Sequence, residues 1–218
     1  AVLAANPHNT QPWVFGVTAD SVELFADPAR RTGVLDALDR EHHVGLGCAL
    51  ENLVLAANAR GYRTTVAVLP DPSDTTHVAT VSVTEGPDEE SGIHDAIGRR
   101  HSNRGPYTDE AVAGDVLSTF DSLTTGLDAV GLRSFTAPAE RAALGELIVG
   151  ATRAIIEDEE QSIESFAWFR NDRDDIDLHR DGLTLDAQGM SPLVLAVAKM
   201  LPATSRTAGD SFWLDQTR

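Results

Sequence analysis

The chain has 218 residues, with 34 Asp and Glu against 17 Lys and Arg and a formal net charge of −17. A polyanion repels phosphate backbones and anionic lipid, which argues against nucleic acid or a membrane surface as partner. No apolar run approaches the roughly 18 residues of a spanning helix. A 42% hydrophobic content is that of a packed globular protein with room for one large domain or two small ones. One cysteine, Cys48, excludes an internal disulfide and a cysteine-rich zinc site. With no signal peptide in view, this points to the cytoplasm. The chain opens on Ala1 inside what reads as a helix end and closes on 210–214 without an obvious terminus, so a piece of a longer protein is expected.

Residues 1–5 read as the last turn of a helix, stopped by Asn6-Pro7. Strands are predicted over 13–19 and 22–26, joined by a turn at Asp20-Ser21, and a loop follows at Asp27-Pro28. Val44, Leu46, Ala49, Leu50, Leu53, Val54 and Ala57 recur at helical spacing, predicting a deeply buried helix over 40–60 closed by Gly61. Strands over 62–69 and 78–84 come next, then a polar linker over 85–91 and a helix over 93–100 capped by Ser91. Thr108 is placed to cap a helix over 109–125, with a strand over 132–136 and a long helix from Pro138 to about Arg170. The charged segment 171–181 is expected in solvent. Ser191-Pro192 opens a helix over 193–201 that is apolar nearly all round and should therefore cover something. The strands lack regular crossover helices, so the fold class is α+β with a mostly antiparallel sheet.

Gly45-Leu46-Gly47 starts like a dinucleotide fingerprint, but no strand precedes it and Leu50 stands where the third glycine belongs. Close helix packing through small residues is the better reading. No Walker-type phosphate loop or nucleophile elbow occurs. Asp172, Asp174, Asp175 and Asp177 lack the glycine and distal Glu of a calcium loop and read as a solvated face. His42 and His43 point about 100° apart on a helix, so no metal site is expected.

Two segments carry chemistry. Asn6-Pro7-His8-Asn9-Thr10-Gln11-Pro12-Trp13 offers amide donors and acceptors on a backbone stiffened by two prolines; a capped turn is the alternative. Arg99-Arg100-His101-Ser102-Asn103-Arg104 is the densest positive cluster and suits an anion. A helix end with arginines answering the macrodipole would account for Arg99 and Arg100, and less well for Ser102 and Arg104.

Arg-Arg-His-Ser-x-Arg and Asn-x-Gln-Pro-Trp resemble the two signature stretches of the nitroreductase family of FMN enzymes. The helix bearing Gly47-Cys48-Ala49-Leu50-Glu51-Asn52-Leu53 resembles that family's central helix. In ordinary members the arginine motif comes first; here Asn9 precedes Arg100 by 91 residues. The order is similar to that of the Acg-type branch, in which two nitroreductase-like halves are fused as a pseudo-dimer in one chain. The resemblance implies a first half over 1–88, the start of a second over 89–165, and a lid-like insertion with an incomplete continuation over 166–218. It also implies one intact site, with further homo-oligomerisation left open.

The resemblance further implies FMN as cofactor and NAD(P)H as reductant, with nitroaromatics or quinones as acceptors. Arg100 and Ser102 would bind the phosphate, and Arg104 the pyrimidine edge, where charge gathers on reduction. His101 would lie against the ring. Asn6, Pro7 and His8 would line a ring face, Asn9 would bond the ribityl or phosphate region, and Gln11 is counted with Asn9 among the cofactor-binding residues of the first half. Asn6 and Pro7 replace serines usual in the family. No residue is assigned as a catalytic acid or base. The alternative function is an FMN store, with the helix over 193–201, together with Trp168 and Phe169, as an occluding lid, and a role in stress or dormancy.

Overall fold

Alternating side chains build the first layer. The computed structural model describes residues 1–89, 91–127, 129–170, 172–202 and 204–218. Glu90 of the expected linker and Asn171 of the expected charged segment lie outside the described residues. Strands β1 (Trp13–Val17), β2 (Ser21–Ala26), β3 (Tyr62–Val68) and β4 (His77–Glu85) form an antiparallel sheet in the order β1-β2-β4-β3. Leu24 pairs with Ala79 and Val22 with Val81, so one face carries an apolar row. Glu23, Phe25, His77 and Thr80 stand on the other, where His77 stacks on Phe25 and its Nε2 lies 2.8 Å from Glu23.

Helix α1 (Arg40–Asn58) covers the apolar face. Leu24, Leu46, Ala49 and Ala79 are fully buried, and Ala4 and Trp13 close the cluster. The predicted burial of α1 is only partly met. Its fully buried residues are His42, Gly45, Leu46 and Ala49; Leu53, Val54 and Ala57 are half-buried, and Val44 faces solvent. A single narrow sheet covers one stripe of a helix and no more.

The rest is helical: α2 (Gly92–Ile97), α3 (Gly114–Ser122), α4 (Pro138–Glu157), α5 (Glu159–Ala167), α6 (Arg173–His179), α7 (Pro192–Ala198) and α8 (Arg206–Thr217). A short parallel pair, β5 (Phe169–Arg170) with β6 (Leu183–Thr184), lies among them. Several expectations are corrected here. Residues 1–5 make one turn, closed by Ala4 N–H to Ala1 O at 2.9 Å. Thr108 caps nothing; α3 begins at Gly114. Residues 132–136 form no strand, because no described strand lies beside them to pair with. The long helix breaks at Asp158, whose carboxylate accepts from Gln161 N–H and starts α5.

Gly45 lets the segment before β1 lie close on α1: a Cβ there would sit 3.0 Å from Asn6 Cβ and 3.3 Å from Pro7 Cδ, whereas one on Gly47 would meet nothing within 4 Å. Gly47→Ala should therefore gain about 1 kcal/mol from helix propensity. Gly45→Ala should forfeit that gain and end about 1–3 kcal/mol below Gly47→Ala in urea denaturation, since its neighbours are backbone and a rigid ring. Equal stability of the two variants would refute this packing.

Candidate functional site

Residues 6–12 are held by their own side chains. Asn6 Oδ1 accepts from Gln11 N–H at 2.9 Å, and Asn6 Nδ2 donates to Ala4 O at 3.0 Å. His8, Asn9 and Gln11 all adopt positive φ, between 49° and 54°. Each is a conformation that L-residues take up at a cost. Here the Asn6 bond, Thr10 N–H to Pro7 O at 2.9 Å and the two prolines hold it in place.

The arginine segment follows α2, whose N-terminus Ser91 caps by accepting from His94 N–H. Arg100 donates from Nε and Nη2 to Leu3 O, both at 3.4 Å, which sets the segment beside residues 1–5. Asn103 Oδ1 accepts from Gly105 N–H at 3.1 Å.

A third wall comes from the segment after α6. Gln11 Nε2 donates to Arg180 O at 2.8 Å, and Gly182 N–H to Asn9 O at 3.2 Å. The Asp181 carboxylate is 8% exposed and accepts from Arg170 Nε at 3.0 Å, Arg170 Nη2 at 2.8 Å and Arg30 Nη1 at 3.1 Å. Arg30 Nη1 also donates to Thr10 O at 2.8 Å. Gly189, at φ 68°, lies so close to the arginine segment that a Cβ would stand 2.5 Å from Arg104 O. The expectation that 171–181 is solvated therefore fails at its last residue: Asp181 is buried.

These three stretches line an open cavity of about 960 Å³. Asn6, His8, Asn9, Arg100, His101, Ser102 and Arg104 line it. Pro7 and Gln11 do not; Pro7 packs toward Gly45, and Gln11 is spent on Arg180 O. Asn103, Arg180 and Asp181 belong to the surroundings as well, and their sequence context hides them among other polar residues.

Charge is sorted within the cavity. Its acids each have a cation close by: Asp177 with Arg173 at 3.6 Å, Asp181 with Arg30 and Arg170, and Asp186 with Lys199 at 2.6 Å. Arg100, Arg104 and Arg180 have no carboxylate within 4.0 Å among the described residues. The cavity is thus cationic in an acidic chain. His8 Nδ1 is buried with no hydrogen-bond partner among the described residues. Burial, and then the charge of Arg104, holds the His8 imidazole below its ordinary pKa. Burial does the same to His42.

The predicted covering role of α7 is not met. Leu193 is 77% exposed, and Val194 and Val197 are also exposed, because α7 is two turns long and offers only Leu195 and Ala198 inward. Among the described residues no helix is long and apolar enough to cross a membrane.

Fold and site together define a class: an antiparallel sheet with packed helices, bearing a cationic cavity suited to an anionic small molecule. No family model matches the chain. Over 110 residues, 50% of the chain, it is 37% identical to "Putative NAD(P)H nitroreductase Rv3131" of Mycobacterium tuberculosis, covering 32% of that protein. Over 140 residues, 60% of the chain, it is 29% identical to "Putative NAD(P)H nitroreductase acg" of the same organism, covering 41% of it. The chain thus spans well under half the length of these curated relatives.

Asp181→Asn leaves Arg170 and Arg30 without their anion and should cost about 3 kcal/mol. It should also speed exchange of the Gly182 amide in hydrogen–deuterium exchange; an unchanged Gly182 amide would count against this anchoring. His8 and His42 bind protons less readily folded than unfolded, so the unfolded chain gains protons first as pH falls. Stability should be full above about pH 6.5 and decline as pH drops toward the lower folded-state values. His8→Asn tolerates the left-handed backbone and should flatten part of that decline in pH-resolved thermal melts.

Proposed function

We propose that the chain is part of an NAD(P)H-dependent flavoprotein oxidoreductase of nitroreductase-like kind, with FMN as the cofactor and nitroaromatics or quinones as acceptors. The observation that carries the reading is the meeting of residues 6–9 and 100–104 at one cavity. The names and 29–37% identities of the mycobacterial relatives support it.

The residues present fit such a group. The volume is that of a cofactor pocket, which runs to about 1,000 Å³. Arg100 and Ser102 supply charge and a hydroxyl for a phosphate. Arg104 supplies a cation for the electron-rich edge of the ring, and the buried His8 Nδ1 awaits a partner. Asn9 and His101 complete the lining, while Asn6 and Pro7 shape the loop that presents them. Gln11 acts one step back, tying that loop to Arg180. Bound FMN would supply two-electron transfer between NAD(P)H and an organic acceptor; the chain's own work is to bind, orient and exclude water. Residues 1–88 would form one nitroreductase-like half, 89–165 the start of a second, and 166–218 a lid-like insertion.

One observation favours a second reading, FMN storage. The insertion is fastened to residues 9–11 by two hydrogen bonds and beside them by the buried Asp181 pairings, so this wall is built to stay.

The purified protein should quench FMN fluorescence on binding and bleach at the flavin band with NAD(P)H without oxygen. Flavin that stays oxidised with both nicotinamides yet bleaches with dithionite would select storage; no FMN binding at all would overturn both readings. Arg104→Ala should weaken FMN binding about tenfold or lower its reduction potential. If neither changes, Arg104 is not at the ring.

A further inference from the structure

Of the 17 basic side chains lysine supplies one, Lys199, and arginine the rest. Lys199 is the C-cap of α7, and its Nζ donates to Asp186 Oδ1 at 2.6 Å. Asp186 stands on the 3-10 turn Leu185–Gln188 and lines the cationic cavity, whereas Lys199 lies outside the lining. Helix α7 is otherwise exposed and apolar at Leu193, Val194 and Val197, so this pair is a polar tie from α7 to the cavity wall. The three acids of the lining are neutralised unequally. Asp181 is buried and takes three N–H donors from Arg170 and Arg30. Asp177 has Arg173 one turn away on its own helix. Asp186 has a lysine, and the two side chains are 56% and 49% exposed.

We propose that Lys199 is a specificity-determining residue of the cavity that acts at one remove: by cancelling the Asp186 carboxylate it keeps the cavity selective for anions. The proposal rests on the reading of this cavity as the FMN site and names a residue outside the lining on which its preference for negative charge depends. A carboxylate in the lining repels an anion bound beside it, and the repulsion grows where protein displaces water. Arg100, Arg104 and Arg180 have no carboxylate within 4.0 Å among the described residues, so an unmasked Asp186 weakens the attraction without reversing it. A lysine at a helix C-terminus also answers the macrodipole. That role would stabilise α7 and leave the charge preference of a ligand site unmoved. The contact with Asp186, 13 residues back and on another element, adds what the macrodipole does not require. An amine differs further from a guanidinium in that acylation removes its charge. Lys199 is the one side-chain amine of the chain, and acylation there would unmask Asp186.

FMN and riboflavin differ by the phosphate, so fluorescence titrations of the purified protein with each read the preference for negative charge. At low ionic strength Lys199→Gln should weaken FMN binding about threefold and leave riboflavin binding in place, and the loss should fade as salt shortens the reach of charge. Lys199→Arg should bind FMN as the wild type does. Adding Asp186→Asn to Lys199→Gln should restore FMN affinity, and Asp186→Asn alone should bind FMN no more weakly than the wild type. Acetic anhydride puts an acetyl group on the amine nitrogen, with loss of acetate and of the ammonium charge. It should reproduce the Lys199→Gln effect in the wild type and not in Lys199→Arg. In a protein that binds FMN, an unchanged FMN affinity in Lys199→Gln, an equal loss for riboflavin, or a loss that Asp186→Asn fails to restore would overturn the proposal and leave the flavin reading standing. A wild-type protein that binds no FMN would overturn both.

Discussion

The carboxylate of Asp181 joins stretches of chain that are far apart in sequence. It is nearly shut off from water, yet it receives two N–H donors from Arg170 and one from Arg30. Withdrawing an ion from water costs several kcal/mol, and even well-made pairs recover little net stability against an apolar replacement. The value of the arrangement lies in geometry. Arg30 also holds Thr10 O, so one carboxylate fixes β5 and β6 against the loop that enters β1. The contacts from Gln11 to Arg180 and from Gly182 to Asn9 lie on the same seam. Without it the cavity would have two walls.

That seam also explains how a chain of charge −17 can present a cationic cavity. Acids are present at the lining, but Asp177, Asp181 and Asp186 each have a cation beside them. The pairings are unequal. Those of Asp177 and Asp186 are exposed and screened, while the Asp181 group is buried and strong. The local field is set by which cations lack a carboxylate among the described residues, and in the cavity these are Arg100, Arg104 and Arg180. Net charge describes the surface; the cavity depends on the local remainder.

The first 85 residues were largely legible in sequence, because period-2 strands and a 3.6-period helix each have an adjacent partner on which to bury one face. Farther on, local signals competed. Apolar spacing alone predicts one helix from Pro138 to Arg170, yet Asp158 and Gln161 make a capping pair that interrupts it, a signal present in the residues themselves. Residues 132–136 have strand-like composition and no neighbouring strand among the described residues. The two chemical segments stood out by residue type. Their third wall did not, since Asp181 closes an acidic run and its burial depends on arginines at positions 30 and 170.

His8 stands where these constraints meet. Its backbone is left-handed, as are those of Asn9 and Gln11, and three such non-glycine residues within four positions represent real conformational cost. The loop that bears this cost is braced by the Asn6 amide, the prolines and the Gly45 approach to α1. The result of the bracing is a half-buried imidazole in the cavity wall, its Nδ1 shut off from solvent, next to an arginine whose charge disfavours its protonation. A neutral imidazole carries one donor nitrogen and one acceptor nitrogen, each in a fixed direction. The local strain and its bracing are therefore one arrangement: the loop holds His8 in the wall of the cavity.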